Sequence, residues 1–170
     1  MRMICFLCIL FVAASGLADD PATTEQVAKL KKLGARITHD DQNRIIGIHL
    51  GERPVVDADL VHLRGLQHVQ ELDLTRTRVT GPGLTNLKDL TALKKLFLTD
   101  TKVADAAMVH LKGLKNLGLL GLSGTKIGDA GLSHLESLSQ LKQVFCIGAN
   151  VTDAGVEKFQ RALPQCDVTH

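Results

Sequence analysis

The chain has 170 residues, which is enough for one domain with a continuous core. Its formal net charge is +2, and loss of an N-terminal segment containing Arg2 would leave +1, from 19 basic and 18 acidic residues. A charge so close to zero argues against the concentrated basic surface of a nucleic-acid-binding protein and against a polybasic contact with a membrane. Aromatic residues are scarce, with five Phe and no Trp or Tyr.

Residues 1–18 have the pattern of a secretory signal peptide. Arg2 supplies the positive charge, an apolar stretch follows as far as Ala14, and Gly16 and Ala18 place small residues before a cleavage site. The apolar stretch is short for crossing a bilayer. An uncleaved anchor or a buried helix is the alternative. We therefore expect an exported protein (periplasmic, cell-envelope or secreted) without a stable membrane anchor.

Residues 19–44 predict an N-terminal cap made of a helix and a hairpin. The segment from Thr23 to Gln26 has capping-box spacing and would begin a helix that Gly34 ends. A short strand is expected from Ile37, and Asp40 to Asn43 have the composition of a turn into the next strand. The helix and hairpin would cover the first strand edge of the segment that follows.

A 24-residue unit recurs five times over residues 45–164, and residues 165–170 are expected to form a C-terminal cap. Apolar columns stay in register from one unit to the next. Self-similarity at a fixed period indicates a solenoid of stacked turns. Three of the columns are Ile45, Val69, Leu93, Leu117, Leu141; Ile48, Leu72, Leu96, Leu120, Val144; and Leu50, Leu74, Leu98, Leu122, Cys146.

Each repeat predicts a strand, a loop and a helix. Leu96 and Leu98 show the alternation of a strand with one buried face. Asp105 is predicted to be the N-cap of a helix in which apolar residues, beginning with Met108 and Leu111, recur every three positions. The equivalent aspartates are Asp57, Asp129 and Asp153. Because helices are bulkier than strands, the stack must bend. The predicted fold class is α/β, with a parallel sheet on the concave side and helices on the convex side.

Two further columns are interpreted as structural. A threonine column supplies hydroxyls that can bond to loop backbone in the adjacent turn, with a hydroxyl ladder for ligands as the alternative. A glycine column on the helices is explained by close packing. The threonines are Thr77, Thr101 and Thr125, and the glycines are Gly83, Gly131 and Gly155.

No motif in the sequence predicts a cofactor, a metal ion or catalysis. His62, His110 and His134 share one helix column, but neighbouring repeats would place them about 10 Å apart, whereas zinc ligands converge to about 2 Å from one ion. Export would permit a disulfide between Cys146 and Cys166. Alternatively, Cys146 fills a column of leucines as a small apolar side chain, and the sequence leaves both possibilities open.

The pattern Leu-x-x-Leu-x-Leu-x-x-Thr-x-Ile-x-Asp-x-Gly-Leu, found in residues 117–132, resembles the leucine-rich repeat family. The resemblance extends from Ile45 to about Leu163. Threonine at the position where many members carry Asn or Cys, together with a full convex helix, resembles the ribonuclease-inhibitor-like or cysteine-containing subclass. The Thr-Asp-Ala-Gly motif and the N-terminus expected for an exported protein resemble repeat proteins of planctomycete-type bacteria. The resemblance implies a horseshoe that binds proteins, and no enzymatic chemistry.

The side chains predicted to point outward from the concave sheet form the candidate binding site. Acidic Glu71 and Asp73 would lie beside an apolar area that runs from Phe97 through Leu119 to Phe145. Exposed apolar residues on a polar surface indicate a contact site, and aromatic anchors are frequent in such sites. The remaining candidate residues are Lys95 and Gln143. We expect a protein partner, and a carbohydrate or cell-envelope ligand stacking on the phenylalanines is the alternative.

The same phenylalanines also have an interpretation that involves no partner. Phe145 and Ile147 could pack under the C-terminal cap, and Phe97 could simply be solvated. The sequence leaves this open.

Overall fold

The structure, a computed structural model, describes residues 21–170, with their side chains from residue 24 onward. The predicted signal peptide, residues 1–18, lies outside the described residues. The described chain forms one seven-stranded sheet in which the strands follow one another in sequence order. The strands are β1 Arg36–His39, β2 Ile45–His49, β3 Glu71–Asp73, β4 Lys95–Phe97, β5 Leu119–Gly121, β6 Gln143–Phe145 and β7 Asp167–Thr169.

A helix and an antiparallel hairpin precede the repeats. Helix α1 spans Pro21–Lys32, and Gly34 follows it with a left-handed φ of 86°. The capping box predicted at residues 23–26 is wrong, because the helix already includes those residues. β1 and β2 pair antiparallel, and their turn is held by Asp40, whose carboxylate accepts the Arg44 N–H at 2.9 Å. β1 therefore covers the edge of β2 that faces away from the repeats.

From β2 to β7 every pairing is parallel, and the register advances by one repeat from strand to strand. Each of the three-residue strands turns one apolar side chain into the core. Those of β3 to β5 are Leu72, Leu96 and Leu120, and all three are fully buried. One continuous cluster of buried residues runs from Leu30 to Cys166. The α/β solenoid predicted from the repeat is therefore confirmed.

The convex side carries the predicted helices, but those of the first three repeats are not α-helices. It carries 3₁₀ helices there, followed by a short α2 and a full α3. The apolar residues recur every three positions, as in Leu60, Leu63 and Leu66, and all three are buried. A 3₁₀ helix has about three residues per turn, so this spacing keeps one side facing the core, whereas an α-helix would rotate it away. The convex elements are the 3₁₀ helices Asp57–Leu63, Pro82–Leu87 and Asp105–Leu111, then α2 Asp129–Ser133 and α3 Asp153–Ala162.

The aspartates predicted as N-caps have a different role. The N-cap positions are held by Val56, Ala104, Gly128 and Thr152, one residue before each aspartate. The carboxylates instead accept hydrogen bonds from the loop of the next repeat. Asp57 accepts the Gly83 N–H at 3.1 Å, Asp105 accepts the Gly128 N–H at 2.7 Å, and Asp129 accepts the Thr152 N–H at 2.9 Å. Three aspartates therefore link successive repeats.

Asp57 shows the physical consequence of this arrangement. Burial raises its pKa, but the hydrogen bonds from the Thr80 hydroxyl and from three N–H groups of the next repeat outweigh burial. The pKa of Asp57 therefore lies below its ordinary value of 3.8. The pKa of Asp129 is lowered as well, chiefly by the Thr152 N–H and then by the Thr152 hydroxyl. Both carboxylates are charged at neutral pH.

The glycine column stands against these aspartates. A Cβ on Gly83 would lie 2.7 Å from Oδ1 of Asp57, and one on Gly131 would lie 2.5 Å from Oδ1 of Asp105. At Gly155 the same position is occupied by the Asp129 carboxylate. The glycines therefore leave room for the side chain of the preceding repeat, which is the close packing expected from the sequence.

One repeat departs from this rule in a consistent way. Gly81 stands where the other repeats carry Asp, and the following repeat has Ala107 where the second, fourth and fifth repeats carry Gly. The Ala107 Cβ approaches the space above Gly81, where an added Cβ would lie 2.8 Å from it. An alanine in this column thus follows a repeat that has no aspartate to accommodate.

The threonine column is structural, but its hydroxyls bond within their own repeat and not to the adjacent turn as predicted. Thr101 Oγ1 donates to the carbonyl of Leu98 at 2.7 Å. The equivalent bonds of Thr77 and Thr125 measure 2.7 and 2.6 Å. All three threonines are buried, so each hydroxyl satisfies a carbonyl at the point where the chain leaves its strand.

The C-terminal end is closed by α3 and β7. Phe159 of α3 is 1% exposed, and Leu163 is buried beside it. Cys146 and Cys166 are buried free thiols, without a disulfide between them. Burial raises the pKa of each thiol to about 11, with a smaller contribution at Cys166 from the neighbouring Asp167. The apolar interpretation of Cys146 therefore describes the structure.

Within residues 21–170, no helix combines the length and the apolar character needed to cross a membrane.

Candidate functional site

The face of the sheet turned away from the core, here called the open face, carries two rows of side chains. Each row crosses the parallel strands in register, with about 4.8 Å between neighbours. All seven residues proposed from the sequence stand in these rows, so the sheet brings them together. The first row is Gly47, Glu71, Lys95, Leu119, Gln143 and Asp167, and the second is His49, Asp73, Phe97, Gly121, Phe145 and Thr169.

The N-terminal half of the open face is polar. Lys95 Nζ lies 3.2 Å from Oε2 of Glu71 in the adjacent strand. Asp73 Oδ1 accepts the N–H of Thr75 at 2.9 Å, which fixes the orientation of that carboxylate. Exposed ion pairs of this kind contribute little to stability. These charges are therefore available to a partner at small cost to the fold.

The C-terminal half is apolar. Phe97, Leu119 and Phe145 are partly buried, and Ile147 is 56% exposed. We call these four residues the apolar patch. Beyond Phe145 the next strand carries Thr169 at the paired position. Ile147 therefore does not pack under the C-terminal cap, and that alternative is wrong for this residue.

The apolar patch has a defined floor at Gly121. A Cβ on this glycine would lie 3.2 Å from Cδ1 of Phe97, so the ring rests against the glycine of the next strand. Phe145 pairs with Gly121 from the other side. The two rings therefore stand on either side of Gly121, and the Phe97 ring lies against the position where a side chain would be.

A charged rim follows the ends of the strands. Arg76 bridges two neighbouring repeats, with Nη1 at 3.0 Å from Glu52 Oε1 and Nε at 3.3 Å from Asp100 Oδ2. These three residues have left-handed φ angles of 55° to 62°, at the position where the next two repeats carry Gly124 and Gly148. The hydrogen bond to Glu52, followed by that to Asp100, raises the pKa of Arg76 above its ordinary value.

A polar cavity of about 320 Å³ lies where the N-terminal hairpin meets the first repeat. No pattern in the sequence predicts this cavity. The only signal there is Arg53, which replaces threonine in the threonine column. The cavity is lined by Gly34, Arg36, His49, Gly51, Glu52, Arg53, Asp73 and Thr75.

The histidine column forms no metal site. Among residues 21–170, no group of three or more His, Cys, Asp or Glu side chains is placed to hold a metal ion. Asn86 stands in the same column and is buried. Its Oδ1 accepts a hydrogen bond from the Nε–H of Arg64 at 2.6 Å, and its Nδ2 donates one to the carbonyl of Gly83 at 2.9 Å.

Comparison with known proteins bears on the fold. A family model described as Leucine Rich repeat matches residues 65–88. An internalin (inlF) of Listeria monocytogenes is similar with a TM-score of 0.63 at 22% identity, over 74% of this chain and 34% of the internalin. The fold is that of the leucine-rich repeat proteins. The chain spans about a third of the length of that internalin.

Two further solved structures share the architecture. A chain of the Drosophila melanogaster SNF/U2A′ complex is similar with a TM-score of 0.62 at 17% identity, over 82% of this chain and 80% of its own length. The PEPR1–AtPEP1 structure gives a TM-score of 0.53 at 19% identity, over 78% of this chain and 19% of that one. A search of curated protein sequences finds no match to this chain. Leucine-rich repeat folds of this kind are generally protein-interaction modules.

Proposed function

We propose that the chain is an exported protein-interaction module that receives a protein partner on its open face. The observation that carries the proposal is the apolar patch, in which Ile147 is 56% exposed and Phe97, Leu119 and Phe145 are partly buried. Partly exposed aromatic and aliphatic side chains, grouped on one face and bordered by charged residues, are typical of protein contact sites. PEPR1–AtPEP1 and SNF/U2A′ are themselves complexes.

The two halves of the open face indicate what the partner must offer. The apolar patch needs an apolar side chain that can pack against Phe97, Leu119 and Phe145. The polar half presents Glu71, paired with Lys95, and Asp73. A partner with an apolar anchor next to a polar segment would match both halves. Apolar contact would then supply most of the affinity, and the charges would set the orientation.

Replacing both Phe97 and Phe145 with alanine should abolish partner capture while leaving the protein folded. Because both rings are only partly buried, the loss of stability should stay below the 3 to 5 kcal/mol typical of a core phenylalanine, and we expect about 1 kcal/mol per ring. The measurement is affinity capture from the native cell envelope with quantitative mass spectrometry, together with thermal unfolding of each variant.

A matched control is available on the convex side. Val61 and Val109 are 39% and 43% exposed there, so the double change to alanine also removes two exposed apolar side chains. A protein retained by the wild type and by this control, but lost with the phenylalanine variant, supports the proposal. Equal retention by all three proteins would rule out the open face, and a large fall in melting temperature would assign the rings to the core.

Export is the second part of the proposal and is supported by the signal-peptide pattern of residues 1–18. We expect the protein isolated from its native host to begin at Asp19 and to be found outside the cytoplasm. Intact-mass spectrometry of the purified native protein measures this directly. A mass that still includes residues 1–18, or recovery only from the cytoplasm, would contradict export without affecting the open face.

A further inference from the structure

We infer that the polar cavity at the N-terminal end of the open face, here called the arginine pocket, binds a carboxylate group of the protein partner. The inference rests on the proposed function, since the pocket continues the open face and shares Asp73 with it. It adds the chemistry that one end of this surface recognises. The side chains that carry the argument are Arg36, His49, Glu52, Arg53, Asp73 and Thr75.

Two guanidinium groups line the arginine pocket with most of their donors free. Within the described part of the chain, Arg36 has no hydrogen bond or ion pair from its side chain, and Arg53 uses only Nε, which donates to the carbonyl of Gly34 at 3.3 Å. A guanidinium carries five N–H donors in a planar fork, which matches the two oxygens of a carboxylate. The pocket therefore offers donors that the protein itself does not use.

Among the described residues, the acidic side chains of the pocket form no ion pair with these arginines. Glu52 forms its ion pair with a third arginine, Arg76, and its Oε1 lies 3.0 Å from Arg76 Nη1. Asp73 directs Oδ1 to the N–H of Thr75 at 2.9 Å. Its Oδ2 lies over Gly51, where an added Cβ would approach it to 3.0 Å. One oxygen of each carboxylate is thus bound to a group other than the two arginines, which leaves the guanidinium donors of Arg36 and Arg53 open to an external carboxylate.

The layout of the strands separates the two ends of the pocket. Arg36 pairs with His49, and His49 pairs with Asp73, so Arg36 and Asp73 stand two strands apart, or about 10 Å. A carboxylate bound at Arg36 is therefore separated from the strand position of Asp73. A volume of about 320 Å³ is at the lower end for ligand pockets. It suits a single acidic side chain or a chain terminus.

The test uses small compounds, so no partner needs to be known. N-acetylglutamate α-amide offers a side-chain carboxylate, N-acetylglycine offers a terminal carboxylate, and N-acetylglutamine α-amide is the uncharged match of the first. We expect the two carboxylates to shift the Nε–H signals of Arg36 and Arg53 saturably in NMR titrations, and the amide to leave them unchanged. The tighter of the two carboxylates identifies the source. Absence of saturable shifts with both would overturn the inference.

Substitutions test whether the pocket residues are responsible. Arg36→Gln and Arg53→Gln should each weaken carboxylate binding at least about tenfold, because each removes a charge-assisted contact. Arg53→Lys keeps the charge but loses the fork, and it should weaken binding as well. Asp73→Asn should strengthen binding, since it removes the like charge at the far end. Arg78→Gln changes an exposed arginine outside the pocket and should have no effect.

The outcomes separate this inference from the proposed function. Carboxylate affinity unchanged in both Arg36→Gln and Arg53→Gln would place the binding elsewhere and overturn the arginine pocket. Partner capture that still depends on Phe97 and Phe145 would then leave the proposed function standing. Conversely, the phenylalanine double variant should retain full carboxylate affinity, because neither ring lines the pocket.

Discussion

Replacing Gly155 with alanine should lower the melting temperature by about 6 °C, and replacing Asp129 with glycine in the same protein should remove that effect. The Asp129 carboxylate occupies the space that a Cβ on Gly155 would need. Alanine therefore expels the carboxylate, which loses its bonds to the Thr152 N–H at 2.9 Å and to the Thr152 hydroxyl at 2.8 Å. Without Asp129 the alanine has room, and as a better helix former it should even be favourable.

Thermal unfolding of the wild type, both single variants and the double variant measures this as a double-mutant cycle. The double variant recreates the Gly81 and Ala107 combination that the protein already contains between its second and third repeats. We expect the alanine to be costly only when Asp129 is present. Additive effects of the two changes would show that the aspartate and the glycine are not coupled, and the interpretation of the column would fail.

Deleting a whole repeat should have opposite consequences in two neighbouring places. Removal of residues 93–116 keeps the 24-residue register and brings Gly81 next to Gly131, where nothing collides. Removal of residues 69–92 brings Asp57 next to Ala107 instead. At the present neighbour of Asp57, Gly83, a Cβ would lie 2.7 Å from the Asp57 Oδ1. We expect both four-repeat proteins to fold, the second with a melting temperature about 6 °C lower than the first.

Ala107→Gly provides the control for the deletion pair. In the protein lacking residues 69–92 it should recover most of the lost melting temperature, because it restores the space for Asp57. In the full-length chain Ala107 faces Gly81, so the same change should be slightly destabilising through the loss of helix propensity. The same response to Ala107→Gly in both backgrounds would contradict the steric explanation.

The register of the repeats could be predicted from the sequence because a solenoid places equivalent residues in equivalent environments. Columns such as Leu72, Leu96 and Leu120 therefore identify the strands and their inward side chains directly. The outward rows follow by alternation, which is why all seven candidate residues stand on one face. Their role in binding stays a prediction.

The role of the aspartates could not be read from one repeat. An Asp just before a helix looks like an N-cap, but the groups that Asp57 binds lie 23 to 26 residues further along the chain. The spacing of three in the apolar residues did contain the signal for 3₁₀ helices. Its combination with aspartates at the helix starts favoured α-helices instead.

The arginine pocket could not be predicted either, for a different reason. Arg36 and His49 meet through the antiparallel register of β1 and β2, which contains an irregularity between Thr38 and His39. Strand β1 lies outside the repeat, so no column relates Arg36 to the residues of β2 and β3. A register that depends on one turn and one irregular pair is not visible in the pattern of apolar residues.

The reactivity of the two buried thiols measures how often the C-terminal end of the protein opens. With a pKa of about 11 at Cys146 and Cys166, only about one thiol in ten thousand is ionised at neutral pH. Both side chains are also screened from solvent in the folded protein. Alkylating reagents and oxidants can thus act on them only in molecules whose last turn has transiently come apart, so the rate of modification counts those fluctuations.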